Sequence, residues 1–185
     1  MTMTKPLTKS ELIQVTDEKF ENLFDFLSNH PDDKWNKGPE GKWTTGQHIM
    51  HLIQSAKPLN KAMGIPKFIL RYKFGKPNRP PRSYEEVETR YKTKLGAAQS
   101  AGQNVLSPFS KNMPDTPPEG KQELINRLRK EKEILIKKIG KYSEKSLDKN
   151  LIPHPLLGRM LVREIIMWNA CHVNHHHDIL KEKYS

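Results

Sequence analysis

The stretch Met160-Leu161-Val162-Arg163-Glu164-Ile165-Ile166-Met167-Trp168-Asn169-Ala170-Cys171-His172-Val173-Asn174-His175-His176-His177-Asp178-Ile179-Leu180-Lys181-Glu182-Lys183 decides the fold. Successive residues of an α-helix turn by about 100° around its axis. On that count Leu161, Val162, Ile165, Ile166 and Ile179 share one side, and the stripe predicts an amphipathic helix over residues 160–183. His172 and His176 fall near the centre of the stripe. Being four residues apart, they project from adjacent turns of the same side. His175 and His177 fall on the flanks, nearer solvent, and Cys171 points largely away. Glu164 and Asp178 also turn from the histidine face, whereas Asn169 faces inward one turn before His172.

Two imidazoles in the middle of an apolar face need partners, because buried unpaired polar groups cost free energy. One divalent cation satisfies both, and neutral imidazole is a good ligand for zinc, nickel, copper or iron. Metalloproteases chelate with a histidine pair at this spacing, but their intervening Glu is replaced here by Val173, so that motif is absent. An i,i+4 pair also occurs as a plain surface feature, and a tract such as His175-His176-His177 binds metal weakly without any function. Spacing alone leaves both readings open.

Three further segments carry the same helical period. Residues 10–29 place Ile13, Phe20, Leu23, Phe24 and Leu27 on one face, with a start at Ser10-Glu11 and a stop at Pro31. A second helix begins at Thr44 or Thr45, carries Ile49, Leu52, Ile53, Ala56, Leu59 and Met63, and ends at Gly64 and Pro66. Pro58 inside it predicts a kink. The third covers residues 119–142 through Leu124, Leu128, Leu135 and Ile139. Between the second and third lie residues 64–118, rich in proline and basic side chains, with one short helical candidate at 84–95. No internal repeat and no strand alternation occurs. The pattern predicts an all-α four-helix bundle, its long connection crossing the bundle and covering one end. The 185 residues fit a single domain, with residues 1–9 expected to be flexible.

A net charge of +11 and a pI near 9.7 are compatible with nucleic acid, a membrane surface or an anionic substrate. The cations are spread along the chain and no nucleic-acid motif occurs, so no specific nucleic-acid partner is expected and the charges read as solvated faces. Lys67, Arg71, Lys73 and Arg79 in the crossover could attract an anionic substrate, although ordinary solubility accounts for them as well. A single cysteine excludes an internal disulfide and a cysteine-based zinc site. The first residues lack the apolar core of a signal peptide, and no apolar run approaches the roughly 18 residues that span a bilayer. A cytoplasmic protein with no membrane partner is expected.

The other histidines are less decisive. In the second helix His48 lies on the flank of the apolar stripe and His51 farther from its centre, so periodicity alone favours His48 as a third ligand. His30 and His154 stand in expected loops.

Three stretches together resemble a known family. They are Gly41-Lys42-Trp43-Thr44-Thr45-Gly46-Gln47-His48-Ile49-Met50-His51-Leu52-Ile53-Gln54-Ser55, then His154-Pro155-Leu156-Leu157-Gly158, then His172-Val173-Asn174-His175-His176. In this order they resemble the DinB-like (YfiT-like) metal-binding four-helix bundles, over nearly the whole chain. The resemblance implies an up-down-down-up bundle with a long crossover. It also implies His51, His172 and His176 as ligands of a divalent metal ion, zinc, nickel or similar, in place of His48. The family's known enzymes include thiol-dependent transferases and isomerases, and others are proposed hydrolases. A metal-dependent thiol transferase or hydrolase acting on a small molecule is therefore the expectation, with a low-molecular-weight thiol as a candidate partner. Three protein ligands leave a coordination position open, the pattern of a catalytic site. No general base is evident beside the triad. The alternative is a non-catalytic metal-binding or interaction module of the same fold. A homodimer is left open.

Overall fold

The computed structural model describes residues 5–101 and 113–184. Its elements are helices α1 (Lys9–Asn29), α2 (Thr45–Met63), α3 (Lys67–Phe74), α4 (Tyr84–Ser100), α5 (Lys121–Gly140) and α6 (Glu144–Leu147), then strands β1 (Leu151–His154) and β2 (Gly158–Leu161), then helix α7 (Val162–Lys183). A single 3-10 turn, Asp32–Lys34, follows α1.

Local sequence explains where the long helices begin. Thr8 caps α1: its hydroxyl accepts from the Glu11 amide, and the Glu11 carboxylate accepts from the Thr8 amide at 2.7 Å. The helix thus starts just before the expected Ser10. Of the leading residues expected to be flexible, 1–4 lie outside the described residues, while Leu7 is buried and its carbonyl accepts from Arg163. Thr8→Ala is expected to lower stability by about 1 kcal/mol, read as a lower urea midpoint at unchanged slope. Thr44 and Gln47 form the equivalent reciprocal cap on α2. Pro58 stands inside α2 without ending it, and its ring lines the cavity described below.

The four long helices form a bundle whose directions follow from their contacts. Lys132 of α5 reaches Asp17 and Glu21 of α1, while Lys121 reaches His30 at the other end, so α1 and α5 run antiparallel. Asn60 of α2 bonds Glu131, and Lys138 reaches the Asn60 carbonyl, whereas Gly46 approaches Pro117, so α2 and α5 run in the same direction. His51 meets His172 and His48 meets His176, so α2 and α7 are antiparallel. The bundle is up-down-down-up. Its core is built from Phe20, Leu23, Leu27, Ile49, Leu52, Leu124 and Leu128, each at most 2% exposed, together with their neighbours along each helix.

The crossover holds more structure than the sequence suggests. α3 is not foreseen, because its eight residues make barely two turns and only Leu70 of them is buried. The helical candidate at 84–95 extends to Ser100 and packs on α7. Residues 102–112 of the crossover lie outside the described residues. Arg79 and Arg82 pin the crossover to α7 through Glu164, whose side chain is fully buried. The carboxylate accepts from Arg79 Nη2 at 2.7 Å and from the Arg82 amide at 2.9 Å. Burial opposes its charge, but these bonds outweigh burial and hold its pKa below the usual value. Arg79 is therefore engaged structurally, and Lys67 sits over the Tyr142 ring, 4.9 Å from its centroid.

Before α7 the chain makes a short antiparallel hairpin, Leu151 opposite Leu161 and His154 opposite Gly158. Met160 and Leu161, read from sequence as helical, thus belong to a strand. Gly158, with φ of 74°, allows the tight return. Among the described residues no helix is long and apolar enough to cross a membrane.

Candidate metal centre

α2 and α7 cross with their histidine-bearing sides facing each other. His51 Nε2 lies 3.1 Å from His172 Nε2, and His176 Nε2 lies 3.1 Å from the same atom. All three residues are buried, at 7%, 4% and 6% exposure. Burial holds each ring's pKa well down, to about 4 for His51, and like-charge repulsion among the histidines pushes the same way. The rings are therefore neutral at pH 7.

Hydrogen-bond accounting fixes which nitrogens carry protons. The Tyr184 hydroxyl donates to the Trp43 carbonyl. It can then accept only from His48 Nε2, 3.3 Å away, so His48 carries its proton there and its Nδ1 is bare. That Nδ1 lies 2.8 Å from His176 Nδ1, which must be the donor. His176 Nε2 is consequently a bare lone pair aimed at His172. A neutral imidazole has one N–H. A proton on His172 Nε2 serves one of its two 3.1 Å contacts, never both, and a bare His172 Nε2 leaves the His176 contact without a proton. One lone-pair contact stays unsatisfied in every neutral tautomer. A cation among the three nitrogens satisfies all of them, and tetrahedral metal–nitrogen bonds of roughly 2.0–2.1 Å set neighbouring nitrogens about 3.3 Å apart. The cluster fits a divalent metal by donor type, by spacing and by proton count.

A model of the DinB superfamily matches residues 16–180. The chain belongs to the DinB superfamily. No curated protein and no solved structure matches it.

In this DinB-superfamily chain the rings around the cluster divide by role. His48, which periodicity favours as a third ligand, is instead the hydrogen-bond partner of His176. Both rings reach α7, but His51 meets the Nε2 of His172 while His48 meets the Nδ1 of His176, on the side turned away from the converging nitrogens. His172 Nδ1 has no hydrogen-bond partner among the described residues. Its ring is held by stacking on Trp168, centroids 5.0 Å apart and planes within 15°. Trp43 lies against His51 at 4.9 Å. Cys171 faces elsewhere, beside Tyr84 and outside the converging group, and burial pushes its thiol up to about 12.

The histidine cluster forms part of the wall of a cavity of about 990 Å³. His175 also faces that cavity, beside Tyr91, while His177 packs on Phe26 outside it. Asn169 is buried, as its inward position predicts, but does not line the cavity. His154, expected in a loop, stands instead at the end of strand β1. It meets the Trp168 ring edge-on with centroids 4.1 Å apart, and its Nδ1 accepts from the Leu156 and Leu157 amides. Its partner-fixing turn, His154-Pro155-Leu156-Leu157-Gly158, was visible; its approach to Trp168 was not. His30 ends α1 as its C-cap and meets the Thr45 hydroxyl at 3.1 Å.

Proposed function

We propose that this chain is a metal-dependent enzyme acting on a small molecule, with His51, His172 and His176 as the protein ligands. The observation that carries the reading is the convergence of three buried, neutral imidazole nitrogens at the wall of a cavity large enough for a substrate. A bound zinc or nickel ion would supply Lewis acidity, lowering the pKa of a thiol or water in its open position. Thiol transfer and hydrolysis are the two chemistries this serves.

The chain's own residues supply position and proton handling. His48 and Tyr184 orient His176 through the chain of hydrogen bonds to the Trp43 carbonyl. Trp168 orients His172. His154 cannot take a proton at Nδ1, which two backbone amides occupy, and its own proton therefore sits on Nε2. His175 is the cavity imidazole to which we assign proton acceptance, because His48 and His154 are both committed to hydrogen bonds.

His175→Ala and His177→Ala are expected to leave metal content near that of the unaltered protein, since His175 packs on the His176 ring without adding a nitrogen to the converging three and His177 lies on Phe26. His175→Ala should lower turnover in addition. Loss of metal from either variant with retention in His172→Ala would overturn the ligand assignment.

A second reading, a metal-binding module without turnover, has one observation in its favour: among the described residues no Asp or Glu lines the cavity. The test is a panel of low-molecular-weight thiols with electrophilic acceptors, and of esters and amides, run on metal-loaded protein purified without a histidine tag. Metal-dependent turnover supports the enzyme. Full metal occupancy with no turnover on any member supports the module.

A further inference from the structure

We propose that the cavity beside the histidines takes an amphiphilic anion, an apolar alkyl or aryl body carrying one carboxylate-type head group. The proposal rests on reading this cavity as the substrate site. Its volume of about 990 Å³ lies at the upper end of the roughly 300–1,000 Å³ range that takes drug-sized ligands. Phe74, Leu95, Leu156 and Ile179 are only half-buried and present apolar surface to it, and Leu59 and Ile165 continue the wall. These six side chains come from α3, α4, the hairpin turn, α7 and α2. The apolar lining is thus a property of the whole cavity, and not the uncovered face of one helix. Apolar surface facing water favours a ligand that removes it from water.

Charge selects the head group. Among the described residues no Asp or Glu lines the cavity, while Lys42 and Lys183 do, both with exposed side chains. They belong to one corner, because their chain neighbours Trp43 and Tyr184 are joined by the hydrogen bond from the Tyr184 hydroxyl to the Trp43 carbonyl. The same two aromatic residues pack on His48, at 5.5 Å each. The cationic corner therefore lies at the histidine end. A cationic ligand would meet two like charges and no counter-charge there. An anionic head meets both lysines, and its apolar body extends along Leu95 and Leu156.

The test uses 1-anilinonaphthalene-8-sulfonate, an aryl body with an anionic head, and its displacement by decanoate, decanol and decylamine. The probe is expected to bind at one per chain. Decanoate should displace it at concentrations at least about tenfold below those needed with decylamine. The double variant Lys42→Glu, Lys183→Glu should abolish that preference and leave decanol unchanged. Leu95→Glu should weaken probe binding by about tenfold or more, because it places a charge in the apolar wall. Leu156→Glu, in the hairpin turn, replaces it should the α4 variant fail to fold. His172→Ala should lose metal and still prefer decanoate to decylamine. Equal displacement by decylamine, or a double variant that still prefers decanoate, overturns the anionic head. Probe binding unaffected by either wall variant overturns the cavity as its site. A His172→Ala protein that keeps its metal but retains the decanoate preference overturns the metal reading alone.

Discussion

Replacing His51, His172 or His176 by alanine is expected to weaken zinc binding at neutral pH by about 10³-fold or more, because two imidazoles hold a borderline metal far less firmly than three. His48→Ala should cost less, about 10–100-fold. The difference comes from the protons. His51, His172 and His176 each present Nε2 to the cluster, with 3.1 Å between neighbours. His48 presents none; it holds the Nδ1 proton of His176 and so keeps the Nε2 lone pair aimed inward. Tyr184→Phe is expected to shift affinity in the same direction as His48→Ala and by less, since it leaves His48 in place while removing the hydroxyl that fixes its tautomer. The measurement is competition with a chromophoric chelator, with metal content by mass spectrometry as the check on stoichiometry. A His51→Ala protein that binds zinc as tightly as the unaltered chain, alongside a His48→Ala protein that does not, would return the third position to His48.

That ranking shows what the residues could and could not reveal by themselves. The 3.6-residue period of residues 160–183 was enough to bring His172 and His176 to one inward side, since a helix fixes those directions from the chain alone. The four long segments were legible for the same reason, and so was the bundle. Choosing between His48 and His51 was not a matter of period. It depends on how α2 is rotated against α7, which is set by packing on two other helices, and family resemblance rather than geometry pointed to His51. The hairpin was read as the start of a helix because Met160 and Leu161 continue the apolar stripe of α7 into the strand. α3 is not legible because two turns are too few to tell a helical period from a short apolar run. Glu164 was correctly turned from the histidines, yet its burial could not be foreseen, because its partners Arg79 and Arg82 lie more than 80 residues earlier. Tyr184 stands beyond the last turn of α7, where no pattern marks it as the end of a hydrogen-bond chain.

Stability of the metal-free protein is expected to fall steeply as pH drops from about 6.5, the value for an unfolded histidine, toward 4. Burial is the leading cause of the lowered pKa at His48, His51, His154, His172 and His176, reaching about 4 at the first three and lying well below the ordinary value at the last two. Between those limits the unfolded chain binds more protons than the folded one, so stability rises with pH and is fully present above the unfolded value. A single histidine held to about 4 contributes on the order of 3 kcal/mol across the window. The five do not add, because four of them crowd one site and share the cost of the first charge to enter it. Glu164 acts in a lower window. Its folded pKa lies below the ordinary carboxylate value, so its contribution is lost only at more acidic pH. Urea midpoints at pH 7, 6, 5.5 and 5 therefore isolate the histidines. A midpoint that stays level from pH 7 to 5 would mean that the buried rings take up protons freely, and the neutral donor set on which metal binding depends would not exist. With saturating zinc the midpoint at pH 7 should rise, and the rise should fade over the same interval, since protons and metal compete for the same three nitrogens.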